Sequence, residues 1–299
     1  GNDDELFANS TLSPDDIHVI STDFPRTIQS VQGLLVGMFP DTESDPSTPD
    51  TIDIDVRHTN ILIPDPQPRR TVEQEELELS LTKQPELLQH ENEHLDLALR
   101  TTKALVGLLG EGAQNVTFGI GEEKDLDDQS PKNDDIQPLP WAQLSEITKC
   151  LAVRNMLPPE ITNEDQIAIS SNAAWRWYTN LRNERLSYLA MGDMVRLITE
   201  NIAGRKSVPK RKKLWIYSAH DSTLIGLMCA FRLEQPTEWP EYASFLKIEV
   251  LTAADEKEYY LRFSLNGKLL KSYLEKNDDE KGDPHSIIPL STLQSIYGI

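Results

Sequence analysis

Leu214-Trp215-Ile216-Tyr217-Ser218-Ala219-His220-Asp221-Ser222-Thr223 is the stretch whose reading decides the fold. Leu214 to Ser218 is a compact apolar run, short enough for a buried strand. It feeds the polar turn at Ala219–Thr223, and Leu224 to Phe231 follows as an apolar helix. The same order stands near the beginning. Ile17-His18-Val19-Ile20-Ser21 alternates as a strand and runs into Thr22-Asp23-Phe24-Pro25, where Asp23 is placed to cap and Pro25 to take a first helical position. Ile28, Val31, Leu34, Leu35 and Met38 then recur at helical spacing, and Pro40 closes the element. Two strand-turn-helix units with polar turns imply an α/β sheet that takes its ligand at the carboxyl ends of its strands.

Outward from these units the chain is mostly helical. Asp41 to Asp55 is rich in Pro, Ser, Thr and Asp and reads as a loop. Val72 to Gly112 has helical composition, with Gly110 and Gly112 as stops; Glu122 to Pro140 is an acidic, proline-containing excursion. Trp141–Met156 and Trp175–Ala203 read as two further helices, with Gly192 permitting a close contact or a bend in the second. Phe245–Leu251 and Tyr259–Leu265 alternate as an antiparallel pair, and Asn266-Gly267 is a turn signal. Strands at both ends with helices between them give an α/β core carrying a helical insertion.

Composition excludes whole classes of partner. Among 299 residues, 49 are Asp or Glu and 29 are Lys or Arg, a formal net charge of −20. Such a chain repels nucleic acid and anionic membrane at long range. The longest apolar run, Leu224 to Phe231, is too short to cross a bilayer. The basic run Arg205, Lys206, Lys210, Arg211, Lys212, Lys213 is interrupted by Pro209 and reads as an exposed loop before the strand at Leu214. Two cysteines, Cys150 and Cys229, are too few for a disulfide framework. The sequons at Asn9 and Asn115 tilt the reading toward a secretory or lysosomal protein, with organellar and cytoplasmic locations left open. Residue 1 is Gly and no leader-like segment follows, so the chain reads as processed or as a fragment.

The two turns offer Ser21, Thr22, Asp23 and Arg26 on one side and His220 and Asp221 on the other. Arg presents a planar fork suited to phosphate, and His and Asp serve anion binding and proton transfer. In the plainer reading, Asp23 and Asp221 cap helices and His220 is a satisfied core residue. The order of four segments tips the balance. Ser21-Thr22-Asp23-Phe24-Pro25-Arg26-Thr27 resembles the Ser-Thr-Asp-x-x-Arg-Thr segment of the histidine acid phosphatases. Tyr217 to Thr223 resembles their His-Asp signature, Leu139-Pro140-Trp141 their Leu-Pro-x-Trp helix start, and Trp239 to Ser244 their Pro-Pro-Tyr-Ala-Ser approach to the late hairpin.

What the resemblance implies is specific. The fold would be a three-layer histidine phosphatase core over residues 12–64 and 186–299, with a mostly helical insertion at 65–185 and the first strand or strands missing. The activity would be phosphomonoester hydrolysis at acidic pH, without cofactor or metal, through a phosphohistidine. Arg26 and His220 would bind the phosphate, and Asp221 would protonate the leaving alkoxide. The family's nucleophile belongs to an Arg-His-Gly-x-Arg segment several tens of residues before the Ser-Thr-Asp motif. Only twenty residues precede Ser21, and His18 is the one histidine among them. Ile20 also stands where relatives often have Arg. The resemblance thus implies an intact phosphatase of which this chain lacks the nucleophile, or else a non-catalytic relative that binds phospho-ligands. Small phosphomonoesters or lysophospholipids are the implied substrates, as in lysophosphatidic acid phosphatase-like or prostatic acid phosphatase-like members.

Two patterns compete with this reading. Arg57-His58-Thr59 imitates Arg-His-Gly but follows the Ser-Thr-Asp motif, lacks the second Arg and has no buried strand immediately before it. His90-Glu91-Asn92-Glu93-His94 satisfies the zincin pattern, in which His90 and His94 on one helical face would hold zinc. Its acidic surroundings and the lack of a clear third ligand favour a solvated helix.

Overall fold

The computed structural model describes residues 12–39, 52–57, 71–109, 137–204, 212–252, 258–274 and 285–298. The sequons, His58, the acidic residues 122–136 and the basic residues 205–211 lie outside them. In chain order the elements are β1 (Ile17–Thr22), α1 (Pro25–Met38), β2 (Ile54–Arg57), α2 (Val72–Thr82), α3 (Pro85–Leu109), α4 (Trp141–Val153), α5 (Asn163–Leu181), α6 (Glu184–Ala203), β3 (Leu214–Ser218), α7 (Asp221–Ala230), β4 (Leu246–Thr252), β5 (Tyr259–Leu265), β6 (Lys268–Leu270), β7 (Ile288–Pro289) and α8 (Leu290–Tyr297). They divide into two compact units, residues 1–75, 181–235 and 240–299, and residues 76–180 with 236–239.

The first unit is built on a parallel sheet of order β2-β1-β3, with Val19 opposite both Ile54 and Ile216. Ile17, Val19 and Val31 are buried in a cluster completed by Leu35, Met38, Ile52, Ile54, Leu214 and Ile216, which fixes α1 on one face. The alternate residue Tyr217 points the other way, where Asn201 of α6 donates to its hydroxyl at 2.8 Å. A second, antiparallel sheet runs β4-β5-β6, with β7 also on β5. Phe231 at the end of α7 packs on Phe263 of β5, ring centroids 5.0 Å apart, and the Tyr297 hydroxyl donates to Ala230 O at 3.2 Å. Asn266 and Gly267 turn the chain from β5 into β6, both at positive φ (49° and 84°), as the dipeptide predicts.

Three expectations need correction. The loop expected through Asp55 gives way at Ile54 to β2, which pairs with β1 because Ile52 and Ile54 complete the cluster under α1. Asp23 does not cap α1; Phe24 holds the N-cap position without a side-chain cap, and the Thr27 hydroxyl donates back to Phe24 O at 2.8 Å. The single helix expected over Trp175–Ala203 is two. Helix α5 starts earlier, at Asn163, and stops at Leu181; Asn183 opens α6 by accepting from Leu186 N at 3.0 Å. Gly192 lies against the Tyr297 ring, close enough that a Cβ there would sit 3.8 Å from Cδ1.

The second unit is helical. Leu105, Leu144, Ile169 and Ala173 are fully buried between α3, α4 and α5. Thr102 accepts Leu139 N at 3.0 Å, setting the entry to α4. That helix ends where Asn155 turns left-handed (φ 55°) and Met156 N donates to Leu151 O at 2.8 Å.

Candidate active site

Strands β1 and β3 end side by side, with Ser21 opposite Ser218. Helices α1 and α7 begin a few residues later, at Pro25 and Asp221. The Ser218 hydroxyl donates to Thr27 O at 2.8 Å and ties the two turns together. Two helix N-termini therefore open at one sheet edge, and their first N–H groups have no intrahelical acceptor. Such an edge attracts anions.

The side chains at this edge come from both turns. Arg26 Nη2 lies 3.3 Å from His220 Nδ1, although 194 positions separate them. Thr22 Oγ1 lies 3.2 Å from His220 Nε2 and 2.7 Å from Thr27 Oγ1. Phe24 meets the imidazole edge-on at 5.0 Å and receives the Arg26 guanidinium over its ring at 4.5 Å. Ser21, Thr22 and Thr27 are buried, whereas Arg26 and Asp221 are exposed. Burial, and secondly the Arg26 charge, push the His220 pKa below that of an ordinary imidazole; Asp221 and Asp23 act in the opposite sense. Asp221 is the first residue of α7, and its Oδ1 accepts Ser222 N at 2.8 Å. A guanidinium, an imidazole and a carboxyl group thus share one anion-attracting edge. That set can hold a small tetrahedral anion and exchange a proton with it.

All three residues singled out from the sequence, Arg26, His220 and Asp221, stand at this edge. The pattern did not single out Thr27, although it stood in the same quoted motif. Arg57, quoted with the Arg-His-Thr triplet, lies at the same end of the sheet. It ends β2 opposite Thr22, held by Asp55 through Nε at 2.9 Å and Nη2 at 2.7 Å. Strand β2 leads into the Arg-His-Thr triplet but has no buried residue, in keeping with the expectation, and His58 lies outside the described residues.

The zincin pattern resolves differently. His90 and His94 do share a face, ring centroids 4.3 Å apart. His90 stacks on Trp175 at 3.7 Å, and its Nε2 lies 2.7 Å from Asn172 Oδ1. Glu91 accepts from Trp141 Nε1 at 2.9 Å and from Arg176. Among the described residues no group of three His, Cys, Asp or Glu side chains is placed to hold a metal ion.

Residues 154–266 match the family model of the histidine phosphatase superfamily (branch 2). Counting factor 60 of Dictyostelium discoideum is 27% identical over 256 residues, which cover 84% of this chain and 54% of that protein. Prostatic acid phosphatase of Homo sapiens is 26% identical over 254 residues, covering 80% of this chain and 57% of that protein. The chain spans little more than half the length of either relative. Among solved structures, the phytase from Citrobacter braakii superposes with a TM-score of 0.64 at 15% identity, covering 98% of this chain and 81% of that one. A Hafnia alvei phytase in complex with myo-inositol hexakis sulphate gives 0.61 at 12% identity, with 96% and 79% covered. At those identities the likeness speaks for the fold alone.

Proposed function

Because the chain is a relative of the histidine phosphatase superfamily, branch 2, we propose that the protein to which it belongs is a phosphoric monoester hydrolase. The observation that carries this reading is the meeting of Arg26 and His220 at 3.3 Å across the ends of β1 and β3, with Asp221 adjacent. In the proposed reaction, Arg26 and His220 neutralise the non-bridging oxygens of the phosphoryl group as negative charge builds on them. The histidine nucleophile forms a bond to phosphorus as the P–O bond to the leaving group breaks, while Asp221 delivers its proton to the departing alkoxide. A carboxyl donor must carry its proton when the step begins, so the reaction favours acidic pH. Water then attacks the phosphoryl group left on the nucleophile and releases phosphate.

The nucleophile in this proposal is a histidine of an Arg-His-Gly-x-Arg segment that forms a phosphohistidine. None of the six histidines in the 299 residues is followed by Gly, and the chain by itself is proposed to bind phosphate without turning it over. Substrates are small phosphomonoesters, lysophospholipids among them; the formal charge of −20 argues against a nucleic acid partner.

The test is release of phosphate from a small aryl phosphate at acidic pH, in the presence of a chelator. The intact protein should turn over and Asp221→Ala should stop it. Turnover that survives Asp221→Ala, or vanishes on chelation, overturns the proposal. Phosphate binding by the intact protein with no turnover of any phosphomonoester would replace it with a non-catalytic phospho-ligand-binding role.

A further inference from the structure

The buried hydroxyls behind His220 have a direction, and Arg26 sets it. A guanidinium only donates hydrogen bonds. At 3.3 Å from Arg26 Nη2, His220 Nδ1 must therefore be an acceptor, so the neutral ring carries its proton on Nε2. That Nε2–H donates to Thr22 Oγ1 at 3.2 Å. Thr22 then has one proton of its own, and the partner in reach is Thr27 Oγ1 at 2.7 Å. Thr27 in turn donates to Phe24 O at 2.8 Å. The backbone carbonyl has no proton to return, so the chain runs one way only. Ser21 joins without reversing it, because its hydroxyl donates to Thr22 O at 3.0 Å.

We propose that Thr22 and Thr27 are positioning residues of this site: a one-way hydroxyl relay that pins the His220 proton on Nε2 and leaves Nδ1, beside Arg26, as the nitrogen that answers to a bound anion. An imidazole lone pair and a phosphate oxygen repel each other. Occupancy of the site by phosphate therefore requires a proton on Nδ1, after which both ring nitrogens donate, one to Thr22 and one to the anion. The charged groups facing the ring are Arg26, Asp221 and Asp23. Burial and Arg26 disfavour the charged ring in the empty site. An anion between Arg26 and the ring reverses that balance, so phosphate binding takes up one proton and strengthens as pH falls through the His220 titration. The relay rests on the anion-site reading for its use, yet its geometry stands apart from it.

Long-range 1H–15N correlation of the purified protein labelled in histidine reads the tautomer directly. His220 is assigned by loss of its signals in His220→Asn. At a pH where the ring is neutral, the wild type is expected to show protonated Nε2 and unprotonated Nδ1. Thr27→Val removes the acceptor for Thr22 and should give a mixed tautomer, and Thr27→Ser should restore the single form. Inorganic phosphate should then shift the Nδ1 titration upward in wild type by more than in Thr27→Val. A wild-type ring protonated on Nδ1 overturns the proposal whatever the variants do, as does a single Nε2–H form in a folded Thr27→Val. If the tautomers behave as stated while phosphate moves nothing, the relay stands and the anion-site reading fails.

Discussion

Arg26 Nη2 and His220 Nδ1, 194 positions apart in the chain, meet at 3.3 Å where two helices start. Arg26 is exposed, has no carboxylate pair among the described residues, and lies over the face of Phe24 at 4.5 Å. A guanidinium so placed is available to an anion. Removing a charge-assisted hydrogen bond costs about 1.5–3 kcal/mol, roughly a 10- to 100-fold loss in affinity at 1.4 kcal/mol per tenfold. Calorimetric titration of inorganic phosphate should show that loss for Arg26→Ala and a partial recovery for Arg26→Lys, whose point charge lacks the fork. Unchanged affinity in Arg26→Ala would remove Arg26 from the site.

A second prediction concerns the split between α5 and α6. Asn183 supplies the one acceptor seen for Leu186 N, and the helix it starts contributes Met191, Met194 and Val195 to the core. Asn183→Ala should lower stability by about 1 kcal/mol, the usual value of such a cap, with Asn183→Asp near neutral. Urea unfolding of the three proteins checks this. A loss under a few tenths of a kcal/mol in Asn183→Ala would mean that α6 is held by packing alone.

That cap also marks a limit of reading the sequence. Asn183 is a strong start signal, but it lies inside a run whose apolar spacing continues through it, so periodicity outvoted the cap. β2 was hidden for a related reason. It is four residues long, with Asp55 and Arg57 turned away from the cluster, and it follows residues dense in turn formers. The strand-turn-helix units were legible because their strands are mostly apolar and are followed by Pro25 in one and the His-Asp pair in the other. The hydroxyl relay was not, since a threonine facing a half-buried imidazole looks in sequence like any strand-end threonine. What gives Thr22 and Thr27 meaning is the pairing of β1 with β3, a contact between residues nearly two hundred positions apart.

Two turn positions should respond to substitution with opposite signs. Ala243 is exposed and sits at φ 60°, a conformation that costs an L-residue about 1–2 kcal/mol. Ala243→Gly relieves that strain and returns about 0.5–1 kcal/mol to unfolded-chain entropy, so it should leave the protein slightly more stable. Gly267 sits at φ 84°, where a Cβ meets no neighbour but the backbone itself is unfavourable. Gly267→Ala should therefore destabilise by about 1 kcal/mol. Thermal melts of both variants decide the matter; melting points that move in the same direction would contradict the turn geometry.

The Glu91 carboxylate separates the structural from the catalytic reading of the His-Glu-x-x-His run. In a metal hydrolase that glutamate faces a metal-bound water. Here it accepts from Trp141 Nε1 at 2.9 Å and pairs with Arg176, one buried and one partly buried group that lose their acceptor if it goes. Glu91→Ala should lower stability by about 1–3 kcal/mol, the cost of leaving such donors unpaired, and Glu91→Gln should recover part of it. Zinc analysis of the purified wild type should find no stoichiometric metal. Full stability in Glu91→Ala, together with one zinc per chain lost in His90→Ala, would make the run a metal centre.

The last prediction works out acid behaviour from one ion pair. Asp165 is nearly buried; Arg100 bonds both its oxygens, one at 2.9 Å, and Thr162 N donates to it at 3.0 Å. Those bonds, Arg100 first, lower its pKa from 3.8 to about 2. A carboxylate whose pKa falls on folding adds stability that is complete above its unfolded value and is lost as pH drops through the folded one. The contribution, about 2–3 kcal/mol at 1.36 kcal/mol per pKa unit, is therefore present from pH 5 upward and disappears between about pH 4 and pH 2. Asp165→Asn should remove it at pH 5, and the gap between variant and wild type should close toward pH 2. Urea titrations at pH 5, 3.5 and 2 measure that gap. A difference independent of pH would assign the effect to the Thr162 hydrogen bonds, not to the charge of Asp165.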